Sequence, residues 1–175
     1  MKLYSVTDGY IDFLRREHPH VYSNKELERS NSRKYIGIVL TVDEYDYFVP
    51  LSSPKQRDYF TDSNGHAQIR KDTFTIFRIV VGRKLYGTIQ FSNMIPVPET
   101  ELIEYVPSNE KDTKYRDLVL GEMEYIRKNE GKIMSRARAV HYQKTNGYDA
   151  PVLQHCLDFS SLEALYDTWK TWIRE

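Results

Sequence analysis

The chain of 175 residues has a single cysteine, Cys156. No intrachain disulfide can form from it, and the roughly four ligands of a structural zinc site cannot be assembled around paired cysteines. Stability must therefore come from a packed core. With 40% hydrophobic residues the chain can supply one core, while its length falls short of two domains. No stretch approaches the roughly 20 apolar residues of a membrane span, and Met1 to Asp8 lacks the apolar run of a secretory signal. A cytoplasmic protein without membrane contact is expected. Net charge is missing as well: 25 Lys and Arg balance 25 Asp and Glu. Global charge does not draw the chain to nucleic acid, so a polyanion partner would need a local basic patch. There is no Gly-Lys-Ser/Thr phosphate loop, no GxGxxG after a strand and no HExxH. No metal or cofactor is expected.

Tyrosine is abundant, 14 against two tryptophans. Its ring can finish a small core or stack on unpaired bases. Along the chain, Leu3 to Val6 predicts a strand, followed by a helix to Arg16 or Glu17 with Tyr10, Ile11, Phe13 and Leu14 on one face. His18 to Arg33 is polar and aperiodic, a long loop. Lys34 to Val42 and Tyr47 to Leu51 form a β-hairpin, with a bend at Gly37. A polar excursion over residues 54–72 precedes strands at 73–81 and 85–91, an extended segment at 93–98 and a last strand at 102–106. From about Ser108 the period becomes helical, with a break at Gly131. Ser160 or Ser161 caps a terminal helix whose apolar face is Leu162, Leu165, Trp169 and Trp172. Strands first, with helices around and after them, give an α+β domain with a mainly antiparallel sheet.

Two regions carry chemistry. The hairpin brings Arg33 and Lys34, at the start of one strand, beside Ser52, Ser53 and Lys55 at the end of the other. Cleaving RNA without a metal needs charge stabilisation on a pentavalent phosphorus and movement of two protons. Fixed cations and hydroxyl donors suit the first task, and a buried lysine can serve the second. Serine with no partnered histidine is a poor nucleophile, so its role is a hydrogen bond to phosphate. The competing reading of Ser-Ser-Pro-Lys is a polar turn that ends a buried strand. The second region is the basic helix of Arg127, Lys128, Lys132, Arg136, Arg138 and Lys144, with one acid, Glu130. It reads as a solvated face or as a face for RNA. His141 on that helix is a titratable RNA neighbour or a surface residue. His155-Cys156 is a weak candidate for a thiol nucleophile.

Several motifs occur in an order that resembles a known family: Tyr35-Ile36-Gly37-Ile38-Val39-Leu40, Pro50-Leu51-Ser52-Ser53-Pro54-Lys55, Asn93-Met94-Ile95-Pro96-Val97, Lys114-Tyr115-Arg116, Tyr125-Ile126-Arg127-Lys128-Asn129 and Lys132-Ile133. The chain is similar, over nearly its whole length, to the ToxN/AbiQ endoribonuclease toxins of type III toxin-antitoxin and abortive-infection systems. The resemblance implies a strongly bent antiparallel sheet of the Kid/MazF type, an SH3-like barrel core with surrounding helices. It also implies metal-independent, sequence-selective cleavage of single-stranded RNA to 2′,3′-cyclic phosphate ends. The implied partner is a repeated pseudoknot RNA antitoxin that the toxin processes and with which it forms a hetero-oligomer. Carried over onto this chain, the catalytic set is Ser53, Lys55, Arg33, Ser52 and Tyr115. The candidate RNA contacts, not part of that carried-over set, are Tyr10, Arg29, Lys34, Arg127, Lys128, Lys132, Arg136, Arg138 and His141. Arg33 stands where some relatives have lysine, which argues for fixed charge there. Arg29 stands where some members have tyrosine. A non-catalytic RNA-binding module and a MazF-like toxin with a protein antitoxin are the competing functions.

Overall fold

The computed structural model describes residues 1–24 and 33–173. The strands are β1 (Lys2–Val6), β2 (Tyr35–Val42), β3 (Tyr45–Ser52), β4 (Tyr59–Thr61), β5 (Ala67–Ile69), β6 (Ile76–Val81), β7 (Lys84–Gln90), β8 (Ile95–Pro96) and β9 (Leu102–Glu104). The helices are α1 (Asp8–Glu17), α2 (Thr113–Lys128), α3 (Glu130–Thr145) and α4 (Phe159–Trp172). One sheet runs in the order β6-β7-β3-β2-β1-β9, with β8 also on β3 and every pairing antiparallel. The architecture is thus the expected α+β class. Among the described residues no helix is long and apolar enough to cross a membrane.

β3 organises the sheet. Its first half lies between β2 and β8, and its last two residues pair with β7 through Leu51↔Ile89 and Ser52↔Thr88. From Tyr47 to Ser52 every residue is buried, as the unbroken apolar run requires of a strand covered on both faces. The register of β2 on β3 shifts between Ile36 and Leu40, the bulge that bends the hairpin near Gly37. A Cβ at Gly37 would sit 2.0 Å from Phe48 Cδ1, so the ring packs directly on the backbone.

Four boundaries differ from the sequence reading, each for a local reason. Within residues 54–72 a separate β4–β5 ribbon forms. It closes because Asp62 Oδ1 accepts from both Asn64 N and His66 N at 2.9 Å, while Gly65 takes φ +81°. β6 starts at Ile76, not Thr73, because Thr73 closes a turn: its N–H donates to Ile76 O and its Oγ1 accepts from Ile76 N. α2 ends at Lys128, three residues before Gly131; Asn129 is its C-cap, and the Asn129 side chain donates to Tyr125 O at 2.8 Å. Asp158, not a serine, caps α4 by accepting from Ser161 N at 3.1 Å. Trp172 leaves the expected apolar face 53% exposed.

Helix α1 buries Tyr10, Ile11, Phe13 and Leu14 against the sheet and α4. Tyr10 has no exposed surface; its hydroxyl donates to Pro96 O at 2.8 Å and its ring meets Trp169. It is a core residue, which corrects its expected place on an RNA-facing surface: burying the ring gains more than an exposed hydroxyl offers.

Candidate active site

The end of β3 is fixed from both sides. Leu51 N donates to Lys34 O, and the Arg33 guanidinium donates through Nη1 to Leu51 O, each at 2.8 Å. Arg33 is only 2% exposed and lies over the Tyr22 ring, 4.3 Å from its centroid. Lys34 is half-buried, with Nζ 3.4 Å from Ser5 Oγ and 4.9 Å from the Tyr105 ring centroid. Burial lowers its pKa. Ser52 is buried with its hydroxyl turned toward Ser53 O, whereas Ser53 and Lys55 are exposed just beyond the strand. The hairpin thus gathers Arg33, Lys34, Ser52, Ser53 and Lys55 at one strand end, with buried positions supporting exposed ones.

Lys55 owes its place to residues that sequence reading missed. Asp58 Oδ2 accepts from Lys55 N and Asp58 N donates to Lys55 O, both at 2.9 Å, which locks the turn. Asp58 is itself held by Arg78 from β6, at 3.1 Å, with both side chains about 5% exposed or less. A pair this deeply buried is costly to break, because one charge is left without its partner. An aspartate three residues after Lys55, able to accept from its backbone N–H, is the signal that could have found it. On the β7 side, Gln90 Nε2 donates to Thr88 Oγ1 at 2.6 Å, and Thr88 Oγ1 lies 3.5 Å from Ser52 O.

The helical candidates divide. Tyr115 is half-buried in the first turn of α2, two turns before Glu122 on the same stripe, and its N–H donates to the capping Asp112 at 3.1 Å. Arg127, Lys128, Lys132 and Arg138 are exposed, and Lys128 pairs with Glu124 at 2.7 Å. Arg136 departs from that face: its Nη1 donates to Thr73 O and Phe74 O, and its guanidinium lies over the Phe74 and Phe77 rings. It braces the turn before β6. His141 is 8% exposed, stacked on Phe159 and bonded to Glu163 Oε1, which also accepts from Tyr47. Its place is an interior junction of β3, α3 and α4 instead of an RNA-facing surface, since the helix stripe carrying Val140 inward carries His141 with it. Arg29 lies outside the described residues.

A separate cavity of about 440 Å³ is lined by His18, His20, Tyr22, Asn93, His155 and Cys156, among others. His18 there is bonded to Ser161 Oγ at 2.8 Å. Burial pushes the Cys156 thiol up to about 11, unsuited to a nucleophile near neutral pH. Among the described residues no three His, Cys, Asp or Glu side chains converge as a metal site.

Residues 2–167 match the family model described as toxin ToxN of the type III toxin-antitoxin system. The chain belongs to the ToxN family. It is 30% identical over 164 residues to the endoribonuclease AbiQ of Lactococcus lactis subsp. lactis, covering 94% of this chain and 86% of that protein. To the endoribonuclease ToxN of Pectobacterium atrosepticum it is 27% identical over 169 residues, covering 95% of this chain and 92% of the relative. Among solved structures, a chain from a type III system with selective toxin inhibition by a non-coding RNA pseudoknot superposes with a TM-score of 0.78 at 26% identity, covering 97% of both chains. A chain from a bacterial antiviral system regulated by a processed non-coding RNA gives 0.80 at 26% identity, covering 95% of this chain and 98% of that one. The residues matched by the family model, 2–167, include the strand end at Ser52 to Lys55.

Proposed function

We propose that this protein is an endoribonuclease toxin that cleaves single-stranded RNA sequence-selectively and without a metal, leaving 2′,3′-cyclic phosphate ends. Its partner is a repeated pseudoknot RNA antitoxin, which it processes and which inhibits it as a hetero-oligomer, in a cytoplasmic system directed against phage. The observation that carries the reading is the strand end where buried Arg33 and Ser52 support exposed Ser53 and Lys55, in a chain whose relatives are named endoribonucleases. The fold reading that goes with it is one domain built on a Kid/MazF-type, SH3-like barrel. Its support is that β3 changes partners along its length and that one hydrophobic core runs from Leu3 to Leu162.

In this reading the 2′-hydroxyl attacks the adjacent phosphorus. The P–O2′ bond forms as the P–O5′ bond breaks; the 2′ proton leaves and the 5′ oxygen takes one up. Ser53 donates its hydroxyl to a non-bridging oxygen, and Lys55 supplies positive charge beside it. Arg33, protonated at any working pH, holds Leu51 O and adds fixed charge behind the strand end. Ser52 and Tyr115 complete the donors. The exposed Arg127, Lys128, Lys132 and Arg138 guide the RNA backbone. Incubation of the purified protein with RNA in EDTA tests this. Cleavage that falls at least about 100-fold in Ser53→Ala, the usual loss for one phosphate-stabilising donor, is the expected result. Intact RNA, or cleavage indifferent to Ser53→Ala and Lys55→Ala, would overturn it, and a small protein in place of RNA on copurification would favour a MazF-like system.

A further inference from the structure

Helix α2 crosses β7 at very close range. A Cβ at Gly121 would stand 2.4 Å from Tyr86 Cε2, and one at Gly87 would stand 2.6 Å from Glu122 Oε1, so a side chain at either crossing would force a neighbour to move. Together these approaches deliver the Glu122 carboxyl, 6% exposed, to the junction of β7 with the end of β3. Ser52 O lies 3.0 Å from that same Cβ position at residue 87. Two acceptors, Glu122 Oε1 and Ser52 O, thus border the same glycine, and no hydrogen bond or ion pair holds the carboxyl among the described residues. A carboxylic acid instead presents an O–H to that carbonyl.

We propose that Glu122 is a positioning residue: as the neutral acid it donates a hydrogen bond to Ser52 O and thereby sets the end of β3, with Ser53 and Lys55, for phosphate binding. The catalytic consequence rests on the endoribonuclease reading; the hydrogen bond rests on the packing. Burial alone pushes the Glu122 pKa up to about 8. The neighbouring charges are engaged elsewhere. Arg78 on β6 pairs with Asp58, Arg116 on α2 with Asp117, and Lys84 on β7 lies 5.5 Å from the Tyr86 ring centroid. Lys34 stands over the Tyr105 ring. The Tyr105 hydroxyl is buried without a hydrogen-bond partner among the described residues. Its pKa is raised first by burial and in part by the Glu122 charge, so the two groups are within electrostatic reach.

The intact protein, ¹³C-labelled at glutamate carboxyls, gives a readout that needs no RNA. The Glu122 carboxyl is expected to titrate with a midpoint near 8, and the Ser53 amide to shift with the same midpoint. Titration in the ordinary carboxylate range, or a Ser53 amide that does not follow, would overturn the proposal even if the protein cleaves RNA. Conversely, a protein that cleaves nothing but shows both shifts keeps the hydrogen bond and loses the endoribonuclease reading. In the cleavage assay, wild-type kcat should fall about tenfold between pH 7 and pH 9, and Glu122→Gln should lack that limb. An unchanged limb in Glu122→Gln would contradict the proposal. Glu122→Ala should lower kcat about tenfold with KM unchanged, and a change confined to KM would count against it.

Discussion

Asp58 shows how a residue behind the candidate site can fix the place of one within it. It holds the Lys55 backbone in both directions and is neutralised by Arg78 in a buried setting. Asp58→Asn keeps the shape and removes the charge, stranding Arg78. A stability loss of about 3 to 5 kcal/mol is expected by urea denaturation, with cleavage reduced even where the variant is fully folded. Glu122 gives the opposite sign. Its pKa of about 8 when folded lies above its ordinary value of 4.5, so the native state holds a proton that the unfolded chain has lost. Stability from this group is complete below pH 4.5, drains as pH rises toward 8 and is level beyond it. Glu122→Gln cannot ionise, so its melting temperature relative to wild type should climb between pH 5 and pH 8. A difference that stays flat would show that Glu122 is ionised in the folded protein.

Elements whose signal is local were legible in the sequence. The β2–β3 hairpin and α1 follow from apolar periodicity, and their bounds agree with the expected ones within about two residues. At Asn129 and Asp158 single side-chain hydrogen bonds outcompeted the glycine or serine that the pattern favoured, and at Thr73 one turned the expected strand start into a turn. The strand-end cluster was legible because two adjacent strands deliver it. Beyond Asp58, three residues from Lys55, its surroundings were not, since Arg78, Thr88 and Glu122 come from three elements whose meeting no local pattern encodes. Tyr10 and His141 failed as surface candidates for the same reason: residue type suggests nucleic acid, but only the packing of α1 and α3 says which way each faces. The α2–β7 crossing offers an element-scale test. Gly87→Ala should destabilise the fold by about 1 to 3 kcal/mol through its clash with Glu122 and Ser52 O. Paired with Glu122→Ala, that cost should shrink; strict additivity would mean that the two positions do not meet.

At the scale of the whole molecule, a net charge of zero conceals an asymmetry. Arg127, Lys128, Lys132 and Arg138 are exposed on two successive helices, whereas Arg33, Arg78 and Arg136 are spent on internal contacts. RNA binding should therefore weaken with salt, but with a log–log slope set by a few phosphate contacts, of order −0.7 per contact for a single strand. Replacing Lys132 and Arg138 by alanine should lower that slope without abolishing cleavage chemistry, as equilibrium binding across a salt series would show. The central claim is narrower: this strand end promotes attack by the RNA's own 2′-hydroxyl. The most direct measurement maps the preferred cleavage site, then replaces the nucleotide 5′ to it with its 2′-deoxy counterpart in an otherwise identical RNA and assays both strands in EDTA. The account predicts that the all-ribose strand is cut to a 2′,3′-cyclic phosphate and the substituted strand is left whole at that site. Cleavage of the 2′-deoxy strand at the same bond would contradict it.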